Sequence, residues 1–169
     1  MERSRIFLVG PMGSGKSTIG KILASSLALT FIDSDTEIES RTGANIPWIF
    51  DVEGEVGFRD REQHVIEELT QIARTVLATG GGAIIRKSNR DALAQRGYVV
   101  YLHATIDELV RRTRNDQNRP LLNQGDPREV LAELSKQREP FYREIADHVI
   151  NTDRSNPKSI AQRLLGELR

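Results

Sequence analysis

The chain has 169 residues, a length that fits one domain with a substantial core, and its lack of cysteine excludes disulfides, thiolate metal sites and a cysteine nucleophile. Its 24 Lys and Arg residues balance 24 Asp and Glu residues, which argues against a dedicated nucleic-acid binder because such proteins carry a basic excess. No apolar run approaches the ~20 residues of a membrane span and no signal-peptide pattern precedes the first strand, so we expect a cytoplasmic protein without a membrane partner.

The first element in chain order is a strand, loop and helix unit. A short apolar run at Ile6–Val9 predicts a buried strand, and Thr18–Ala24 has the apolar spacing of a helix. Between them, residues 10–17 read GPMGSGKS, which fits the phosphate-binding pattern of Gly, four residues, Gly-Lys-Ser/Thr. In such a loop, Lys16 reaches the outer phosphates of a nucleotide and the Ser17 hydroxyl binds Mg²⁺. The alternative is a glycine-rich turn with a chance lysine.

Four further segments have the composition of strands and are separated by stretches long enough for crossover helices. They are Thr30–Asp33, Thr75–Thr79, Tyr98–Leu102 and His148–Thr152. This alternation predicts an α/β fold with a five-stranded parallel sheet that carries helices on both faces. Ligands of such sheets bind beyond the carboxyl ends of the strands, which is where the polar residues of this chain are concentrated.

Two segments depart from the alternation of strand and helix. Residues 36–70 form a long insertion, with a helical pattern around Phe58–Leu69 and a Trp48 that we expect to pack against neighbours. Residues 112–126 are polar and rich in turn formers, a composition typical of a lid that closes over a site. A solvated surface loop is the alternative for this second segment.

Polar and glycine-rich sequences follow the second and third strands. Asp33 and Asp35 end the second strand, where one carboxylate could hold Mg²⁺ through water and the other could accept a hydrogen bond from a substrate hydroxyl. A helix N-cap is the alternative for either. The triple glycine at residues 80–82 either admits a ligand close to the backbone or forms a flexible turn. Because the third strand lacks a terminal Asp, Asp33 is the candidate magnesium carboxylate.

Three arginines stand out by their local sequence. Arg59 lies three residues before Glu62, so the two would share a helix face and could orient each other. Arg119 lies in the candidate lid, and Arg138 precedes Glu-Pro-Phe-Tyr. Arginine binds carboxylate and phosphate groups through two parallel hydrogen bonds, although a solvated surface position is the alternative for any single arginine.

These motifs, taken together and in order, resemble those of the shikimate kinase family. They are GPMGSGKSTIG from residue 10, Asp33-Ser-Asp35, GFRDRE from residue 57, LATGGG from residue 77, RPLL from residue 119 and REPFY from residue 138. The resemblance implies the three-layer P-loop fold of nucleoside monophosphate kinases as a single domain, residues 1–169. The substrate-binding insertion would span about residues 36–70 and the lid about 112–126. It also implies ATP-dependent phosphorylation of the 3-hydroxyl of shikimate, on the chorismate pathway to aromatic amino acids, with Mg²⁺ as cofactor and a monomeric enzyme.

The resemblance further implies a role for each matching residue. Shikimate would be bound by Asp35, Arg59, Gly81 and Arg138. ATP would be bound by Gly13, Ser14, Gly15, Lys16, Ser17, Thr18 and Arg119, with Arg112 and Pro157 flanking the adenine. Lys16, Asp35 and Arg119 would be catalytic, and Mg²⁺ would be held by Ser17 and, through water, by Asp33.

Two other functions remain open from the residues alone. The same fold could phosphorylate another small molecule or a nucleotide, although an arginine pair beside Asp35 favours a carboxylated polyol. A nucleotide-dependent switch without an acceptor is the second alternative, and it would need neither an Asp facing an acceptor nor an arginine on the lid.

Overall fold

The structure, a computed structural model, describes residues 3–114 and 125–169. Five parallel strands form one sheet in the order β2-β3-β1-β4-β5, which confirms the predicted α/β class. The elements are β1 (Arg5–Val9), α1 (Lys16–Leu27), β2 (Thr30–Asp33), α2 (Ser34–Thr42), α3 (Ile46–Leu69), β3 (Thr75–Ala78), α4 (Lys87–Arg96), β4 (Tyr98–His103), α5 (Ile106–Thr113), α6 (Pro127–Ile145), β5 (His148–Asn151) and α7 (Pro157–Leu168).

The central strand β1 determines where the site lies. It pairs in parallel with β3 on one side and β4 on the other, with Leu8 opposite Ala78 and Val100. Because all strands run the same way, their carboxyl ends meet at one edge of the sheet. The phosphate loop, the Asp33–Asp35 segment and the triple glycine all follow strands at that edge.

Helices cover both faces of the sheet, as its fully buried central strand requires. Phe7 and Val9 of β1 face a core formed with α3, α4 and α6, whereas Ile6 and Leu8 face a second core formed with α1 and α7. All four side chains are completely buried. The apolar run that predicted this strand is continuous because both of its faces are covered.

The insertion after β2 contains more helix than its sequence predicted. Helix α2 begins directly at the end of β2, and α3 starts at Ile46 and bends at Gly54, whose φ of 71° lies in the left-handed region. The first half of α3 was not predicted because the exposed Trp48, Val52 and Val56 obscure the short buried face that Ile46 and Ile49 form. Trp48 is 61 % exposed, so the expectation that it packs against neighbours was wrong.

The predicted lid falls largely on residues that are not described. Residues 115–124, including Arg119, lie outside the described residues, while α5 ends just before them and α6 begins just after, with Asp126 as its N-cap. Among the helices of residues 3–114 and 125–169, none is long and apolar enough to cross a membrane.

Candidate active site

The phosphate loop joins β1 to α1 and places the amino end of that helix at the edge of a large cavity. Gly15 caps α1 with a φ of 96°, a conformation that glycine adopts without strain. The Lys16 ammonium donates to the carbonyls of Gly10 at 2.7 Å and Pro11 at 2.8 Å, so it lies across the loop. Backbone N–H groups, a helix dipole and this ammonium together form an anion-binding cradle.

Asp33 divides its two carboxylate oxygens between structure and a candidate metal site. Oδ1 accepts from the backbone N–H groups of Asp35 at 2.9 Å and Thr36 at 3.2 Å and so caps α2. Oδ2 accepts from the Ser17 hydroxyl at 2.6 Å. The two interpretations of Asp33, cap and metal carboxylate, are therefore compatible.

The oxygens of Ser17 and Asp33 fit Mg²⁺ in particular. No group of three or more His, Cys, Asp or Glu residues within the described ranges could hold a metal ion by itself. Mg²⁺ requires no such cage, because it keeps several waters and takes ligands from nucleotide phosphates.

The triple glycine lets charged side chains approach the backbone at the end of β3. A Cβ atom at Gly80 would lie 2.5 Å from Oδ1 of Asp35, and one at Gly82 would lie 2.4 Å from Nη2 of Arg59. The Ser34 hydroxyl accepts from the Gly80 N–H at 3.0 Å and fixes the start of this loop. The loop is thus held in place, and its glycines provide space for Asp35 and Arg59.

Arg59 and Glu62 form the ion pair that their spacing predicted, and both are buried. The Arg59 guanidinium donates to the Glu62 carboxylate at 2.9 Å, with side-chain exposures of 8 % and 1 %. Burial raises the pKa of Glu62, and the charge of Arg59 opposes that rise. Among the described residues, Nε of Arg59 and Oε2 of Glu62 are buried without a hydrogen-bond partner. An unsatisfied buried donor is costly unless a ligand completes it.

Arg138 reaches the same loop from α6. Its guanidinium is buried, and Nη1 would lie 3.5 Å from a Cβ atom at Gly81. Burial lowers the pKa of Arg138, and the nearby positive charge of Arg59 lowers it further. Glu62 is the buried carboxylate that faces them, and Arg59 also pairs at 3.4 Å with the exposed Glu55. An anionic ligand would give the two buried guanidiniums a further charged partner.

A cavity of about 820 Å³ connects these parts. Its lining includes, of the predicted site residues, Gly13, Ser14, Gly15, Lys16, Ser17, Thr18, Asp33, Asp35, Gly81, Arg112 and Pro157. Arg59 and Arg138 lie behind the glycine loop instead of on the cavity wall. Only Arg119 among the predicted site residues cannot be placed, because it lies outside the described residues.

Arg112 lies at the far end of the cavity, where its contacts join three segments. Its guanidinium donates to the Gly13 carbonyl at 3.2 Å and to the Thr152 carbonyl at 2.9 Å, and it pairs with Glu108. Pro157, at the start of α7, lines the same region. The structure therefore brings the two predicted adenine-flanking residues to one part of the cavity.

Sequence reasoning assigned no role to two polar residues that contact the site. Ser34 lies between the two aspartates and binds Gly80, and Tyr142 on α6 donates to the Gly81 carbonyl at 2.5 Å. A signal for Tyr142 was present, because it follows Arg138 by four residues and so shares its helix face. Ser34 carried no such signal, since its partner is distant in sequence.

Comparison with known proteins identifies the arrangement. A family model described as shikimate kinase matches residues 12–169. The chain belongs to the shikimate kinase family. It is 61 % identical to the shikimate kinase of Pseudomonas syringae pv. syringae over 163 residues, covering 96 % of this chain and 95 % of that protein. It is 56 % identical to the shikimate kinase of Chromohalobacter salexigens over 160 residues, with 95 % and 89 % covered.

A solved shikimate kinase shares this architecture closely. The structure of shikimate kinase from Acinetobacter baumannii in complex with shikimate superposes with a TM-score of 0.96 at 51 % identity. The match covers 98 % of this chain and 93 % of that one. The three-layer P-loop kinase fold expected from the sequence motifs is thus confirmed.

Proposed function

We propose that this chain transfers the γ-phosphoryl group of ATP to the 3-hydroxyl of shikimate, giving shikimate 3-phosphate and ADP in aromatic amino acid biosynthesis. The observation that carries the proposal is membership of the shikimate kinase family across residues 12–169. The buried arginine pair beside Asp35 supports it, because shikimate is a small carboxylate with neighbouring hydroxyls.

At the acceptor end, Arg59 and Arg138 bind the shikimate carboxylate, and its negative charge compensates the two buried guanidiniums. Gly81 has no side chain, so the shikimate ring can come close to the backbone there. Asp35 accepts hydrogen bonds from the ring hydroxyls. In the transfer, the 3-oxygen forms a bond to the γ-phosphorus while the bond from that phosphorus to the bridging oxygen of ADP breaks. Asp35 takes the proton released from the 3-hydroxyl.

At the phosphate end, residues 13–18 bind the ATP phosphates, and Lys16 moves from its carbonyl partners to the transferring group. Ser17, and Asp33 through water, would hold Mg²⁺, which would neutralise phosphate charge when bound. Arg119 adds positive charge from the lid, and lid closure excludes water as a competing acceptor. Arg112 and Pro157 flank the adenine. Phosphoryl transfer needs mainly such positioning and charge compensation.

We further propose a single domain in which residues 36–70 bind the acceptor and residues 112–126 close over ATP. The enzyme acts as a monomer in the cytoplasm. Size-exclusion chromatography with light scattering tests the monomer, and a mass of twice 19.0 kDa would contradict it.

A coupled assay for ADP release tests the activity. ATP and Mg²⁺ should give ADP only when shikimate is added, and the product should be shikimate 3-phosphate by mass spectrometry. A matched panel containing gluconate and nucleoside monophosphates tests another kinase on this fold. Stimulation by a panel member but not by shikimate would overturn the proposal, and nucleotide binding without transfer to any acceptor would indicate a switch.

A further inference from the structure

Tyr142 is a buried residue of α6 for which the proposed mechanism has no use. Its side chain is 1 % exposed, and its hydroxyl donates to the Gly81 carbonyl at 2.5 Å. This hydrogen bond fixes the peptide between Gly81 and Gly82. Because a trans peptide is planar, fixing its carbonyl also fixes the direction of the Gly82 N–H.

Arg138 lies one helical turn earlier on α6 and approaches the same glycine, since its Nη1 would lie 3.5 Å from a Cβ atom at Gly81. Burial lowers the pKa of Arg138, and the nearby Tyr142 side chain opposes that fall. Burial raises the pKa of Tyr142 to about 12, against the opposing effect of Arg138, so the hydroxyl keeps its proton at neutral pH. It therefore remains a donor to the Gly81 carbonyl.

The ring of Tyr142 is fixed by stacking against a neighbouring ring. It stacks on Tyr101 of β4 with ring centroids 5.0 Å apart and an interplanar angle of 25°. Both rings belong to the core that α3, α4 and α6 form with the sheet. A hydroxyl on a ring fixed in this way holds the Gly81 carbonyl in one place, so the loop loses less conformational entropy when an anion binds.

We infer that Tyr142 is a positioning residue for the acceptor carboxylate: its hydroxyl holds the Gly81 carbonyl at the glycine that Arg138 also approaches, so that the glycine loop keeps its place beside the arginine before shikimate binds. The inference rests on the proposed function. It predicts a contribution to acceptor binding and none to ATP binding, whereas a residue that only fills the core would change stability and leave both unaffected.

Steady-state kinetics of Tyr142→Phe provide the first test. The variant should raise the KM for shikimate about tenfold, the size expected when a buried carbonyl loses its hydrogen-bond donor, with kcat and the KM for ATP within about twofold. Tyr101→Phe is the matched control, since it removes a hydroxyl from the adjacent stacked ring, and its KM should stay within about twofold. A Tyr142→Phe variant with an unchanged KM for shikimate would overturn the inference.

A double-mutant cycle separates positioning from general packing. In an Arg138→Ala background, Tyr142→Phe should lower kcat/KM for shikimate by less than about twofold, because the arginine beside which it holds the loop is absent. A tenfold loss in both backgrounds would show that Tyr142 acts independently of Arg138. Wild-type activity on shikimate is measured alongside, so failure of the proposed function would be seen separately as absence of wild-type turnover.

NMR of the wild-type chain provides a third test, in which the Tyr142 side chain itself is observed. The sequence has three tyrosines, so labelling the ring carbon that bears the hydroxyl with ¹³C gives three signals, and Tyr101→Phe assists their assignment. Shikimate should move the Tyr142 signal, whereas its methyl ester, which lacks the carboxylate charge, should move it much less. Equal shifts with both ligands, or no shift with shikimate, would overturn the link between Tyr142 and the carboxylate.

Discussion

The two ends of the candidate site differ in the parts of the chain that build them. The phosphate end is formed by residues 10–17, a contiguous segment that acts largely through its backbone and the start of α1. The acceptor end is formed by buried side chains from α2, α3 and α6 around the glycine loop, which are far apart in sequence. The first can be identified from a short motif, whereas the second exists only when the core of the domain has formed.

The two ends also differ in how their charged groups are compensated when no ligand is bound. At the phosphate cradle, the buried Lys16 ammonium donates to the carbonyls of Gly10 and Pro11. The acceptor end holds the guanidiniums of Arg59 and Arg138 and the carboxylate of Glu62 out of water. We therefore expect substitutions at the phosphate end to reduce turnover, and substitutions at the acceptor end to reduce shikimate affinity.

The largest expected effect is that of Arg119→Ala. If Arg119 contacts the transferring phosphoryl group as proposed, its loss should lower kcat about 10³-fold, with shikimate binding changed by less than about threefold. Stopped-flow turnover and calorimetric binding measure the two quantities, and Arg114→Ala is a control at the exposed end of the preceding helix. Equal losses in turnover and binding would contradict a role in the transition state.

Arg59→Lys should act mainly on the acceptor. A lysine keeps the charge but not the paired N–H donors, so the KM for shikimate should rise about 50-fold while the KM for ATP stays within about twofold. Arg61→Lys is the matched control, since Arg61 lies two residues further on the same helix and pairs with Glu53 at the surface. If the KM for ATP rose as much as that for shikimate, the division into two ends would fail.

Gly82→Ala tests whether the glycine loop serves the arginine behind it. The added methyl group would lie 2.4–2.6 Å from three atoms of the Arg59 guanidinium, which must then shift. We expect the KM for shikimate to rise about tenfold and the melting temperature to fall by only about 2–4 °C, because a flexible side chain yields more easily than backbone. Gly166→Ala on α7, where a Cβ meets nothing within 4 Å, is the control and should leave the KM unchanged. An unaltered KM for shikimate in Gly82→Ala would indicate that residues 80–82 form a turn without a role in acceptor binding.

The smallest effect should come from Glu108→Gln on α5. Hydrogen bonding from Arg111 and Arg112 lowers the pKa of Glu108 from 4.5 to about 2, so ionised Glu108 stabilises the folded state above pH 4.5. That contribution is lost as the pH falls towards 2. Thermal melts at pH 7 should show a decrease of about 2 °C in the variant, and the difference should shrink below pH 4.5. A difference that does not depend on pH would assign the effect to packing.

Sequence patterns predicted the parallel sheet and the local parts of the site because both rest on short-range physics. An apolar run predicts a buried strand such as β1, and a spacing of three residues puts Arg59 and Glu62 on one helix face. Helix capping by Asp33 was likewise predictable from its place at the end of a strand.

The parts that sequence patterns did not predict depend on contacts distant along the chain. The Ser34 hydroxyl binds Gly80, 46 residues away, and Tyr142 binds Gly81, 61 residues away. The first half of α3 was missed for a different reason, since its exposed Trp48, Val52 and Val56 mask the helical spacing of the buried Ile46 and Ile49. Arg119 remains a prediction from motif alone.

The two oxygens of the Asp33 carboxylate have different partners, and this limits which residues can replace Asp33 in related sequences. One of its oxygens starts a helix in every folded molecule, and the other contacts Ser17 at the phosphate loop. Selection for folding alone would accept Asn or Ser here, since both cap helices well. Selection for turnover would retain the charge. A library of all substitutions at position 33, sorted once for abundance and once for growth without aromatic amino acids, would therefore give two different sets of tolerated residues.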